Sequence, residues 1–201
     1  MSTPRDLLIT AMEVAPDRPV EQGDLSLALA GAELCDLINT EAVTVDGDRI
    51  VPGLVPAMDD RLLDAAASSL GREAPYESVE DWLWRRGRGL YATYLAALEA
   101  EGQVTRQRNR WLPLRTGRRA LADSPDRRHA AERRSSGDPV LAALAAAVGI
   151  GTEPAEDLAD LVGDAVLTVL VAVNDAVMEL EAVRQRRKIE DAAFDNVWRA
   201  P

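Results

Sequence analysis

Six arginines and three of the four tryptophans fall into two short clusters. Arg85, Arg86 and Arg88 follow directly on Trp82 and Trp84. Arg106, Arg108 and Arg110 alternate along a stretch that runs into Trp111 and Leu112. A guanidinium presents a planar fork of N–H donors that matches phosphate oxygens, and an indole places an apolar body and a polar N–H at a membrane–water interface. The chemistry within reach is capture of an anionic phosphate beside an apolar surface. The same residues also serve structure alone if the arginines form a solvated face and the tryptophans are buried.

Other chemistry has little to stand on. The single histidine, His129, sits in a polar, arginine-rich stretch and is expected to be solvated. The chain has no phosphate-binding or dinucleotide-binding glycine motif, no nucleophile elbow and no Cys/His cluster with metal-ligand spacing. Asp59, Asp60 and Asp64, and Glu156, Asp157 and Asp160, bring carboxylates onto helical faces. At helix starts such groups favour the macrodipole and solubility. The expectation is a protein that is not an enzyme, with no metal and no cofactor. Cys35, the only cysteine, excludes an intrachain disulfide and reads as a buried, inert thiol in a reducing compartment.

The elements that must position the two clusters follow from composition and pattern. The chain has 201 residues, 47% of them hydrophobic but only 4% aromatic, so its core is expected to be small-residue, helix-rich packing in a single domain spanning 1–201. A net charge of −11 argues against a dedicated nucleic-acid binder. That total hides a split. Residues 1–80 hold 5 basic and 16 acidic groups, residues 81–140 hold 13 and 7, and residues 141–201 hold 5 and 11. The middle stretch is a basic island, and local charge governs contact with an anionic partner within about 10 Å of screening. The basic residues are 22 Arg and Lys188, a bias that reads as base composition. No secretory signal is apparent. The longest apolar runs, 140–151 and 165–173, fall short of the roughly 20 residues of a bilayer span, so a cytoplasmic protein is expected.

Periodicity predicts a first helix over 6–14 and a second that Asp24 caps, in which Gly31 admits a close neighbour. A hairpin over 43–51 turns at Asp46–Gly47. A third helix covers 59–70, and a fourth starts at a Ser78 cap and breaks near 86–89, where two glycines weaken it. A helix from Leu90 stops at Gly102. A second hairpin pairs 104–106 with 110–114 around a polar tip at 107–109. Residues 115–138, arginine-rich, read as a short helix between mobile loops. Helices over 140–148 and from Ala155 to about Asp191 follow, with Gly163 inside the latter.

Three blocks in order resemble the Golgi phosphoprotein 3 family. Asp60-Arg61-Leu62-Leu63-Asp64 through Glu77-Ser78-Val79-Glu80-Asp81-Trp82-Leu83 is similar to its D-x-L-L-D-x-A, proline-containing loop and V-x-x-W-[IL] helix. The segment 27–34 looks like its L-x-G-x-x-L helix, and 98–104 through 111–114 like its L-x-x-x-G-x-L helix end and second hairpin. The resemblance covers about 6–115. It implies a mainly α globule with two small β-hairpins that binds phosphorylated phosphatidylinositol headgroups on membranes. Eukaryotic members read phosphatidylinositol 4-phosphate with a Trp and an Arg beside the second helix and two Arg on the long helix. Those positions fall here on Glu21, Ala30, Arg88 and Tyr91, so one of four is retained. The apolar hairpin tip, used for membrane contact and self-association, falls on Trp111 and Leu112. The arginine-bearing N-terminal tail used for coat partners is missing, and no coat-adaptor role is expected.

The expected function is non-enzymatic, peripheral binding of anionic phospholipid, with phosphoinositide implied by the resemblance, on the inner membrane face. The headgroup residues are expected to be Arg85, Arg86, Arg88 and Tyr91, and the membrane or oligomer hairpin Arg106, Arg108, Arg110, Trp111 and Leu112. A homo-oligomer fits the same hairpin. Two alternatives stay open: a protein-interaction or oligomeric scaffold without lipid activity, and a winged-helix DNA binder whose wing is the second hairpin.

Overall fold

A computed structural model describes residues 2–14, 20–54, 58–106, 119–151 and 158–199, with residue 106 and residues 192–199 as backbone only. The organising element is α2 (Gln22–Asn39), in which every residue from Leu25 to Cys35 is buried. A helix apolar on all sides belongs in the middle of a helical layer structure, not at its surface. Packed around it are α1 (Thr3–Val14), α4 (Val79–Arg86), α5 (Leu90–Ala100), α7 (Pro139–Ala147) and the long α9 (Asp164–Arg199), while α3 (Arg61–Ser68) closes one edge. Gly31 is where α9 comes closest: a Cβ there would lie 2.2 Å from Val173 Cγ2. The expected close approach is therefore real, and its neighbour is the C-terminal helix. Cys35 is fully buried in this core, which pushes its thiol pKa well up.

Local chemistry sets several boundaries. Asp60 accepts from the backbone N–H groups of Leu62 and Leu63 to start α3. Ser78 accepts from Asp81 N at 3.0 Å to start α4. Ser124 and Asp138 cap α6 (Pro125–Ser135) and α7 in the same way, each followed by a proline whose missing N–H costs nothing at the first helical position. The first hairpin pairs β1 (Val43–Asp46) with β2 (Arg49–Pro52) around Gly47, whose φ of 61° suits the turn. Ser78 also bridges to Arg49, so this hairpin leads straight to α4.

Four expectations are corrected. Asp24 does not cap α2, which begins at Gln22; its carboxylate is taken by Arg184 instead. The second ladder joins β3 (Val104–Arg106) to β4 (Arg119–Leu121), with Val104 opposite Leu121, not to 110–114. The stretch expected as a helix between loops contains β4 as well as α6, and α6 is fastened along its length to α1. Gly163 lies outside a helix, between α8 (Leu158–Leu161) and α9. Among the described residues the protein is mainly α, with two small antiparallel two-stranded sheets. None of the helices described is long and apolar enough to cross a membrane.

Candidate functional site

Trp82, Trp84 and the first arginine cluster lie on α4 and the turn after it, and this one turn and a half distributes them to different environments. Trp82 is fully buried, and its Nε1 donates to Ala30 O at 3.0 Å. Arg85 turns outward over that indole, 5.2 Å from the ring centre, and forks onto Glu77 at 2.6 and 2.7 Å. This hydrogen-bonded ion pair raises the Arg85 pKa. Arg86 points inward. It forks onto both oxygens of Glu33 at 2.7 and 2.8 Å and reaches Leu62 O.

Glu33 is a carboxylate with no exposure, set in the apolar length of α2, and Tyr94 donates its hydroxyl to it at 2.9 Å. Burial pushes the Glu33 pKa up, while the hydrogen bonds and charge of Arg86 and the Tyr94 hydroxyl oppose the rise. Burial and the adjacent carboxylate push the Tyr94 phenol far up. The forked geometry is that of an ionised carboxylate held by a guanidinium. Sequence reasoning did not single out Glu33, although the one acid within the run 25–35 is a visible signal for a buried ion pair.

Past Arg86 the chain must cross α2 closely. Gly87 is buried, and a Cβ there would sit 2.6 Å from Leu83 O and 3.3 Å from Leu27 Cδ2. Gly89 adopts φ 71° to restart the chain as α5. Between them Arg88 is exposed, and among the described residues no ion pair or hydrogen bond engages it. It stands at a groove of about 320 Å³ whose walls come from the start of α2, the α4–α5 turn and α9. Trp84 and Tyr91, both half-buried, and Leu180 give the groove its apolar surface, and Gln22 and Ser26 its polar one. Ser26 Oγ accepts from Tyr91 N at 3.1 Å and so fixes α5 against α2 at this point.

Of the four expected headgroup residues, the structure therefore brings Arg88 and Tyr91 together at one groove and gives Arg85 and Arg86 carboxylate partners inside the chain. Glu21 is exposed at the start of α2 and lines a separate pocket with Asp24 and Arg184, whereas Ala30 is fully buried and its carbonyl accepts from Trp82. In the second cluster Arg106 lies in β3, and Arg108, Arg110, Trp111 and Leu112 lie outside the described residues.

Most of the other described arginine side chains of the basic island are paired as well, the exposed Arg128 excepted. On α6, Arg127 and Arg134 share Glu13 at 2.5 and 3.1 Å, and Arg133 reaches the buried Asp6 at 2.8 Å as well as Asp138. His129, expected to be solvated, sets Nδ1 3.2 Å from Asp6 Oδ1. Arg119 pairs with Glu99. Arg85, Arg86, Arg127, Arg133 and Arg134 of the basic middle third thus pair with carboxylates of the acidic first third. Among the described residues no group of three or more His, Cys, Asp or Glu side chains could hold a metal ion.

The family model for Golgi phosphoprotein 3 matches residues 4–196, nearly the whole length. The chain belongs to the Golgi phosphoprotein 3 family. The match extends the family from the blocks before residue 115 through α6, α7 and α9, where the sequence carried only a helical pattern. Among curated proteins none matches the chain.

Proposed function

We propose that this Golgi phosphoprotein 3 family member is a non-enzymatic, peripheral membrane protein of the cytoplasmic side that holds the phosphate of an anionic lipid headgroup at the α2–α4–α5 groove. The observation that carries the reading is Arg88. An exposed guanidinium without a partner among the described residues, flanked by the half-buried rings of Trp84 and Tyr91, is suited to a phosphate on an interfacial surface. Arg85 and Arg86 act in this reading as supports: they tie α4 to Glu77 and to α2, and so fix the turn that presents Arg88. Tyr91 lines the groove and offers a hydroxyl where the family has a second arginine, which fits weaker headgroup contact. In this reading Arg106, Arg108 and Arg110 contribute positive charge, and Trp111 and Leu112 apolar side chains, to the same membrane contact.

The test is co-sedimentation with vesicles of phosphatidylcholine alone, of phosphatidylcholine with phosphatidylserine, and of phosphatidylcholine with phosphatidylinositol 4-phosphate. Binding is expected on the two anionic compositions and is expected to fall as salt rises, because arginine–phosphate contact at a surface is screened. Arg88→Ala is expected to weaken it several-fold, by roughly the 1.5–3 kcal/mol of a hydrogen bond to a charged group at most. Equal sedimentation on neutral and anionic vesicles sinks the proposal. So does salt-sensitive retention on duplex DNA without vesicle binding, which favours the winged-helix alternative.

A further inference from the structure

We propose that the outer face of α9 is a self-association surface, on which α9 of a second copy of this chain lies antiparallel. The helix has 36 residues, about 54 Å at 1.5 Å per residue. Its inner face, through Val169, Val173 and Val177, is buried against the body. Its opposite face carries Val171, Met178 and Ile189, which are 53%, 63% and 69% exposed, with exposed Ala182 between the last two. At 100° per residue these four positions stay within a narrow stripe, and their spacings of 7, 4 and 7 are those of a helix–helix seam. From residue 185 to 191 every side chain is exposed, so the helix continues beyond its last anchor, Arg184 on Asp24. Gln185 and Lys188 still face a pocket at the end of α7, but the outer face of this stretch is uncovered and gains from a partner.

Charge names the occupant and its direction. From 164 to 181 the helix carries Asp164, Asp175, Glu179 and Glu181 and no basic residue, and from 184 to 188 it carries Arg184, Arg186, Arg187 and Lys188. Among the described residues no ion pair engages Asp175, Glu179, Arg186, Arg187 or Lys188. Parallel pairing would set like charges side by side. Antiparallel pairing about a two-fold axis sets Glu179 and Glu181 of each copy against the basic 184–188 stretch of the other, twice. A register centred between 183 and 184 puts Met178 opposite Ile189 of the second copy, and sets Glu179 on the same flank as its Arg186 and Glu181 on the same flank as its Lys188. Leu180, a wall of the groove, is on the other side of the helix, so pairing leaves the groove open and does not rest on the lipid reading.

Light scattering behind size exclusion, over a dilution series of the full chain, is expected to give twice the 21.8 kDa chain mass at high concentration. Met178→Glu, at an exposed position, is expected to raise the dimer dissociation constant by about tenfold or more while circular dichroism stays unchanged, since one buried apolar side chain is worth that much. Glu179→Arg with Glu181→Arg in one variant, and Arg186→Glu with Lys188→Glu in another, are each expected to be monomeric alone and to dimerise when mixed. Oxidation is expected to cross-link Ala182→Cys, near the two-fold axis, and not Val171→Cys. A wild-type monomer at all concentrations, an undiminished Met178→Glu dimer, two charge variants that stay apart when mixed, or cross-linking of Val171→Cys but not Ala182→Cys overturns the proposal.

Discussion

Arg86 and Arg88 are two residues apart and carry the same group, yet one is forked onto a fully buried carboxylate and the other stands free in solvent at a groove. Their difference is made far away in sequence. Arg86 meets Glu33 because the buried length of α2 holds that acid toward α4, and Gly87 then lets the chain pass close over α2 so that Arg88 emerges into solvent. Whether an arginine of the basic island is available to a ligand is decided by where the acidic first third has placed its carboxylates.

The largest effect is expected at the buried end of this comparison. Arg86→Ala leaves the buried Glu33 with the Tyr94 hydroxyl but without its guanidinium, and chemical denaturation should register a loss of about 3–5 kcal/mol, whereas the double variant Glu33→Gln, Arg86→Met should recover much of it. Gly31→Ala does not touch either arginine but forces a methyl onto Val173; it is expected to cost about 1–3 kcal/mol, partly restored by Val173→Ala.

A smaller effect belongs to Arg5, another paired arginine, which joins Asp60 and Glu101 across α1, α3 and α5. Burial alone would raise the Asp60 carboxyl, but hydrogen bonds from Ser2, Leu62 and Leu63 and the charge of Arg5 hold it below its ordinary value, and the Arg5 hydrogen bonds do the same for Glu101. Carboxyls lowered by folding add stability that is complete above their unfolded values near ~4 and disappears as pH falls through the folded ones. Thermal unfolding across that window should therefore steepen in acid, and Arg5→Ala should flatten the limb, by no more than about 1 kcal/mol given the half-exposed Glu101. The smallest effect is expected at the free arginine. Arg88→Ala should change unfolding free energy by less than about 0.5 kcal/mol, because nothing in the fold depends on it. A loss comparable to that of Arg86→Ala would erase the distinction between the two.

Much of the scaffold was legible because its signals are local. The Ser78 cap, the glycine break after Arg86, the Asp46–Gly47 hairpin and the need for a small residue at Gly31 all follow from backbone preference or helical spacing. The errors arose where a decision is long-range. Residues 110–114 and 119–121 both offer apolar strand formers, and only the tertiary contact of β4 with α1 selects the second as the partner of β3. The expected site was half legible for the same reason. Arginine and tryptophan types mark the neighbourhood, but Glu33, Glu77, Glu13 and Asp6, which decide which arginines remain free, lie 8 to 127 residues from the groups that they bind.

The bond between Asp6 and α6 has a consequence for how the chain is made. Asp6 is buried from the first helix onward, but His129 and Arg133, which accompany it, are 123 and 127 residues later in the order of synthesis. A nascent chain that has delivered only α1 to α5 has the core-forming leucines of α2 and the carboxylates of Asp6 and Glu13, and none of the cations that allow α1 to settle. Completion of the fold is thereby postponed until α6 has left the ribosome, and α9 reaches its seat on Gly31 later still.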